Sequence, residues 1–173
     1  MTIGAFFMLV SSTHWVLRAR SLRMESDLVA QFQEQQIETP ITPTHISIQW
    51  FVDADIEPHI YQNNQWTTST EKASYLSQSA QPGTDGNIIV YGHNTRAILG
   101  NIRALKGSET IVLTLSDGSI REYQISKIIE VSPTQTEFLK PTQTETLTLY
   151  TCSGFLDKNR FIVQAVPINA QPK

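Results

Sequence analysis

Residues 146–166 read TLTLYTCSGFLDKNRFIVQAV. Two runs of period two flank SGFLDKN, the pattern of two strands that each bury one face. In the first run Leu147, Leu149 and Thr151 share a face, and Cys152 falls on the other with Thr148 and Tyr150. A core thiol would keep phase with the leucines. In the second run Phe161, Val163 and Ala165 share a face, while Arg160 opens the strand out of phase with them. Paired as an antiparallel hairpin across the seven-residue connection, the runs bring a thiol and a guanidinium together at one end of a sheet.

The segments upstream are also short and β-rich. Ile46, Ile48, Trp50 and Val52 alternate with Ser47, Gln49 and Phe51, and residues 55–61 (DIEPHIY) read as a strand with Pro58 at an edge or bulge. Thr68-Ser69-Thr70-Glu71 has capping-box spacing and predicts a short helix reaching Ser79. The turn-rich QPGTDGN (81–87) leads into the apolar run IIVYG, and Ile98, Leu99, Ile102 and Leu105 come next at helical spacing. ETIVLTL and SIREYQIS flank Asp117-Gly118, a strong hairpin signal, and KIIEV continues the strand set. A Thr/Pro/Gln-rich loop spans 132–145. About eight short strands with only small helices indicate a mainly β protein built as a closed or nearly closed barrel.

Composition narrows the function classes. The 173 residues are 40% apolar and 17% charged with a formal charge of -3, which suits one packed domain and lacks the basic footprint of a nucleic-acid binder. Cys152 is the single cysteine, so an intrachain disulfide framework and a Cys-rich zinc site are both excluded. No metal or other cofactor is expected. Trp50 and Trp66 read as core or groove wall.

The N-terminus divides from the rest. Residues 1–17 are hydrophobic, but the stretch from Ile3 to Leu17 falls short of the roughly 20 residues that span a bilayer. They are expected to be a membrane anchor. Arg18, Arg20 and Arg23 lie just after it, and the positive-inside rule would then leave the remainder cytoplasmic. An anchor whose basic end precedes Met1 would resolve that conflict. Residues 18–44 are polar and Gln-rich, with a stalk helix ending before Pro40 and Pro43; the β-barrel domain is assigned to 45–168 and a tail to 169–173.

A cysteine acts as a nucleophile through its thiolate, and an ordinary thiol of pKa near 8.5 is only about 3% ionised at pH 7. A nearby cation raises that fraction, and a proton donor is still needed for a leaving amine. Four histidines are available. His14 lies in the hydrophobic segment, and His45 and His59 read as structural or solvent-facing. His93 alone comes directly after a buried-looking strand, beside Gly92, where the backbone must approach something closely.

These residues resemble a known family. The run P-G-x-x-G-N-x-x-V-x-G-H from Pro82 to His93, L-T-L-Y-T-C from Leu147 to Cys152, and Arg160 on the next strand are similar, in order, to the motifs of the sortases, bacterial surface cysteine transpeptidases. The resemblance runs from about His45 to Pro167. It implies an eight-stranded sortase barrel in which Cys152 is the nucleophile, His93 the general acid and base, and Arg160 the group that binds substrate and stabilises the oxyanion. Thr151 would help to shape the substrate site.

The implied substrates are surface proteins bearing an LPxTG-like sorting signal, and the implied acceptor is an amine, from a cell-wall peptide or a pilin lysine. The implied location is the cell membrane, through a single N-terminal anchor, with the catalytic domain on the extracytoplasmic face. Alternatives are a cysteine peptidase of the same fold that hydrolyses its acyl-enzyme, and a non-catalytic barrel that binds extended peptides. I-S-I-Q-W-F-V in the first strand, Asn94 after the histidine and the short loop before Arg160 depart from many relatives and leave the class open. Glu137 and Glu145 are the only acids in the 132–145 loop, which argues against a calcium site there.

Overall fold

The computed structural model describes residues 40–59 and 68–168. The readings of residues 1–39 as anchor and stalk, of Trp66, and of 169–173 as a tail lie outside the described residues. The chain divides into two units, residues 1–39 and 40–173, and the described strands belong to the second.

Eight strands close into a barrel: β1 (Pro43–Ile48), β2 (Val52–His59), β3 (Ala73–Leu76), β4 (Asn87–Gly92), β5 (Thr110–Leu115), β6 (Ile120–Val131), β7 (Thr146–Ser153) and β8 (Asn159–Pro167). Around the wall they run β1-β2-β3-β4-β7-β8-β6-β5, and β5 pairs back onto β1. The neighbours β2–β3 and β4–β7 are parallel, and all other pairs are antiparallel. The helical turns of the described residues are three short 3₁₀ segments, Gly100–Ala104, Glu137–Leu139 and Phe155–Asp157.

Alternation fills the interior. Ile46, Ile48, Ile88, Val90, Ile111, Leu113, Tyr123, Leu147, Leu149, Val163 and Ala165 all belong to one core cluster and are essentially inaccessible. β4 is buried on both faces, because Leu76, Ile89 and Tyr91 form a second cluster outside the wall with Leu139 and Tyr150 against it. The Asp117-Gly118 hairpin forms as its sequence indicates. Gly118 adopts φ +82° and donates to the Leu115 carbonyl, while the Asp117 carboxylate accepts from the Ser119 amide and hydroxyl. The twelve-residue β6 pairs with β5 over residues 120–124 and with β8 over residues 123–131, and the second ladder shifts register between Ile125 and Lys127.

Two local expectations fail. The helix through Ser79 does not form: the Ser69 hydroxyl accepts from the Glu71 and Lys72 amides in a tight turn, and Ala73–Leu76 is a strand between β2 and β4. All four of its residues are buried, so pairing on both edges outweighs a capping signal that a three-residue loop can also satisfy. Nor does the first alternating run continue through Trp50. The chain turns at Gln49 (φ +41°), with the Phe51 amide donating to the Ile48 carbonyl, and Ile48 faces Val52 across a hairpin. Trp50 therefore stands at the tip, 82% exposed, and is neither core nor groove wall.

Candidate active site

The C-terminal ends of the parallel neighbours β4 and β7 lie side by side, and the start of β8 lies beside β7 in the opposite sense. Register fixes what meets there. Cys152 pairs directly with Arg160, Tyr150 with Ile162, and Gly92 with Thr151. One step past Gly92, His93 leaves the barrel beside the cysteine. Cys152, His93, Arg160 and Thr151 all line one cleft of about 390 Å³. Its apolar floor is Tyr91, Tyr150 and Ile162, and Leu139 from the β6–β7 connection borders it.

Strand phase separates roles as the sequence indicates. Leu147 and Leu149 are fully buried and Thr151 is 1% exposed, whereas Cys152 is half-buried and reaches the cleft. The Thr151 hydroxyl turns inward and donates to the Gly92 carbonyl at 2.8 Å. Its side chain thus fastens the end of β4 to β7. Gly92 is also a close approach, since a Cβ there would sit 2.7 Å from the Ile98 Cγ2.

Sequence reasoning overlooks several supports. The Thr68 hydroxyl lies 3.3 Å from His93 Nε2, a contact hidden because the spacing of Thr68 suggests a helix cap. Asn87 is 3% exposed; it accepts from the Thr148 hydroxyl and donates to the Phe138 and Lys140 carbonyls, pinning the β6–β7 connection beside the cleft. Its fixed place in the Pro82–His93 motif and its position as a polar residue opening an otherwise apolar strand are the visible signals, though neither indicates these partners. Arg160 donates through Nη1 to the carbonyls of Asp157 and Asn159, and forms no ion pair among the described residues. Its charge is therefore not neutralised by a carboxylate within the described barrel.

Tyr91 and Tyr150 stack 5.3 Å apart. Burial raises the pKa of both phenols above its ordinary value; for Tyr150 the Tyr91 and Cys152 charges add to burial while Arg160 opposes it. Both stay neutral at working pH, giving the cleft an aromatic wall without added charge. His45 and His59 lie elsewhere: His45 bridges Asp53 and Asp55, and His59 faces Glu57.

A family model described as the sortase domain matches residues 52–168. The chain belongs to the sortase family. Sortase A from Corynebacterium diphtheriae, as its lid mutant, is similar at TM-score 0.64 and 25% identity, over 84% of this chain and 80% of that one. A Clostridium perfringens sortase D5 transpeptidase reaches 0.62 and 25%, over 74% and 79%. Sortase C1 from Streptococcus agalactiae shares the fold at 0.62 and 18% identity, over 74% and 68%. No curated protein matches significantly.

Among the described residues no group of three or more His, Cys, Asp or Glu is placed to hold a metal ion. Glu145 of the sortase β6–β7 connection is turned to the barrel wall, where it accepts from the Gly83 amide, Arg121 and the Tyr123 hydroxyl. Among the described residues no helix is long and apolar enough to cross a membrane.

Proposed function

We propose that this sortase is a cysteine transpeptidase with Cys152 as nucleophile, His93 as general acid and base, and Arg160 as oxyanion donor. The observation that carries the reading is the convergence of these three side chains on one cleft through the register of β4, β7 and β8. The Cys152 thiolate adds to the carbonyl carbon of the threonine, or a similar residue, in an LPxTG-like sorting signal. Arg160 donates to the oxygen that becomes negative, where a forked cation is worth more than in open water. His93 protonates the departing amine, and a thioester remains. A second amine then attacks the thioester, and His93 removes its proton as the new amide forms. Thr151 contributes by holding Gly92, and with it the base of the His93 loop.

A cleft of about 390 Å³ with an apolar floor suits the side chains of a short extended peptide. Surface proteins carrying the signal are the proposed donors, and a cell-wall peptide or pilin lysine the acceptor. Residues 1–17 are the proposed single-pass anchor, holding the barrel on the extracytoplasmic face.

Intact-mass measurement of the full chain with LPxTG-like peptides tests the chemistry. The expected product is an adduct equal to the N-terminal peptide fragment, absent in Cys152→Ala and discharged as a new amide when oligoglycine or a diaminopimelate-type amine is supplied. Discharge to water alone, unaffected by amines, would make the protein a peptidase. A folded chain that forms no adduct, and whose Cys152 resists alkylation, would refute the catalytic reading.

A further inference from the structure

We infer that Glu130, on β6, is a positioning residue for the Cys152–Arg160 pair and acts through Ser153 and Asn159. The inference rests on the proposed roles of Cys152 and Arg160. Beyond their rung of the β7–β8 ladder there is one more, Ser153 facing Asn159, before the connection turns back. That connection is held by the Asp157 amide on the Gly154 carbonyl and by Arg160 Nη1 on the Asp157 carbonyl, while its side chains pack little. Phe155 and Leu156 are 81% and 75% exposed, and Leu156 and Asp157 both sit at φ +55°, a left-handed region that strains a non-glycine residue. The rung at its base gains a further tie from outside the hairpin.

Glu130 supplies that fixture from the third strand. It faces Phe161 across the β6–β8 ladder, one residue before Val131 faces Arg160. A single carboxylate oxygen, Oε1, accepts from the Ser153 hydroxyl at 2.8 Å and from the Asn159 side-chain amide at 3.1 Å. Both members of the last rung are thus tied to one atom. Gly154 makes the room: it adopts φ +75°, and a Cβ there would crowd the Asn159 amide at 3.1 Å from Nδ2.

The tie continues to the guanidinium. Arg160 Nη1 donates to the backbone carbonyl of Asn159, so the residue Glu130 holds by its side chain is one that holds Arg160 by its main chain. The hydrogen bonds from Asn159 and Ser153 outweigh the opposing effect of burial and, with a smaller contribution from the Arg103 charge, keep the Glu130 carboxyl below its ordinary pKa. It is ionised wherever the enzyme works, and ionised acceptors make the stronger bonds.

Steady-state turnover of an LPxTG-like peptide by the full chain, compared across wild type, Glu130→Ala and Glu130→Gln, tests the clamp. Displacement of a reacting group by a fraction of an ångström predicts that Glu130→Ala lowers kcat about tenfold, with KM within about twofold and the thermal midpoint unchanged. Glu130→Gln keeps an amide oxygen able to accept both bonds and is expected to recover most of kcat. Wild-type kcat in Glu130→Ala, or equal damage in both variants, overturns the inference. If wild type forms no thioester, the proposed function fails, and the Arg160 Nε–H resonance in heteronuclear spectra still decides the clamp. Its displacement in Glu130→Ala and return in Glu130→Gln support the tie; an unmoved resonance overturns it.

Discussion

Gly92→Ala is the most demanding single test of how the barrel delivers His93. The added methyl would lie 2.7 Å from Ile98 Cγ2, about 1 Å inside ordinary carbon contact. Leu99 Cδ1 at 3.5 Å and the Ala73 Cα at 3.6 Å leave it nowhere to retreat. Ile98 is 1% exposed, so it cannot swing into solvent and must move together with the loop that starts at His93. Overpacking of this size costs about 1–3 kcal/mol, and replacing a strand glycine returns about 0.5–1 kcal/mol of chain entropy. The net is a destabilisation of up to about 2.5 kcal/mol, or at most several degrees in thermal midpoint for a domain of this size. Under the proposed mechanism, a shift of about 1 Å in His93 lowers kcat by one to two orders of magnitude. Ile98→Ala removes the obstructing methyl, so the double variant should be more stable than the sum of the single effects by about 1 kcal/mol or more, read by urea denaturation. Additivity in the cycle would refute the close approach.

Thr151→Val removes the buried bond to the Gly92 carbonyl and is expected to cost about 1–2 kcal/mol and to slow acyl transfer, while Thr151→Ser keeps the bond and most of both; calorimetry and turnover check this. Glu145→Gln leaves an amide N–H facing the Arg121 Nη2 donor, so chemical denaturation should show a loss of about 2 kcal/mol or more, against about 1 kcal/mol for Tyr123→Phe. Burial alone would lower the His45 pKa, but the hydrogen bonds and charges of Asp55 and Asp53 on β2 outweigh it and raise it; the β5 neighbour, Thr114, is uncharged. The pair's contribution is therefore full below the unfolded pKa of about 6.5 and is lost as pH rises through the higher folded value. The thermal-midpoint gap between wild type and His45→Gln should accordingly be widest near pH 6 and close at alkaline pH; a gap that widens with pH would contradict the assignment.

One distinction separates the legible parts of this fold from the hidden ones. Period-two alternation records which side of a strand is buried, and by itself it assigns Leu147, Leu149 and Thr151 to the barrel interior and Cys152 to the outside, with no knowledge of pairing. The hairpin between β7 and β8 is equally legible, since a short connection leaves adjacent runs only one way to pair. Alternation records nothing about partners distant in sequence. The parallel contact of β4 with β7 brings Gly92 to Thr151 across the whole of β5 and β6, and no local pattern announces it. That His93 can nonetheless be singled out comes from its place after an apolar run, a local feature, and from the family motif.

The failures obey the same rule. Thr68–Glu71 carries a true local signal, because Ser69 does accept from amides two and three residues on; the conformation of Ala73–Leu76 is settled instead by two strands, β2 and β4, that pair with it on either edge. Trp50 is misplaced by its pattern because a two-sided alternation continues unbroken through a tight turn when the turn residues happen to keep phase. Glu130 is invisible for a stronger reason. Its role depends on three strands meeting at one rung, and in the sequence it is one charge in KIIEV, indistinguishable from a solvated strand residue. A site assembled from strand ends is thus readable where a short hairpin pairs its residues, as for Cys152 and Arg160, and unreadable where a residue acts on strands distant in sequence, as Glu130 does.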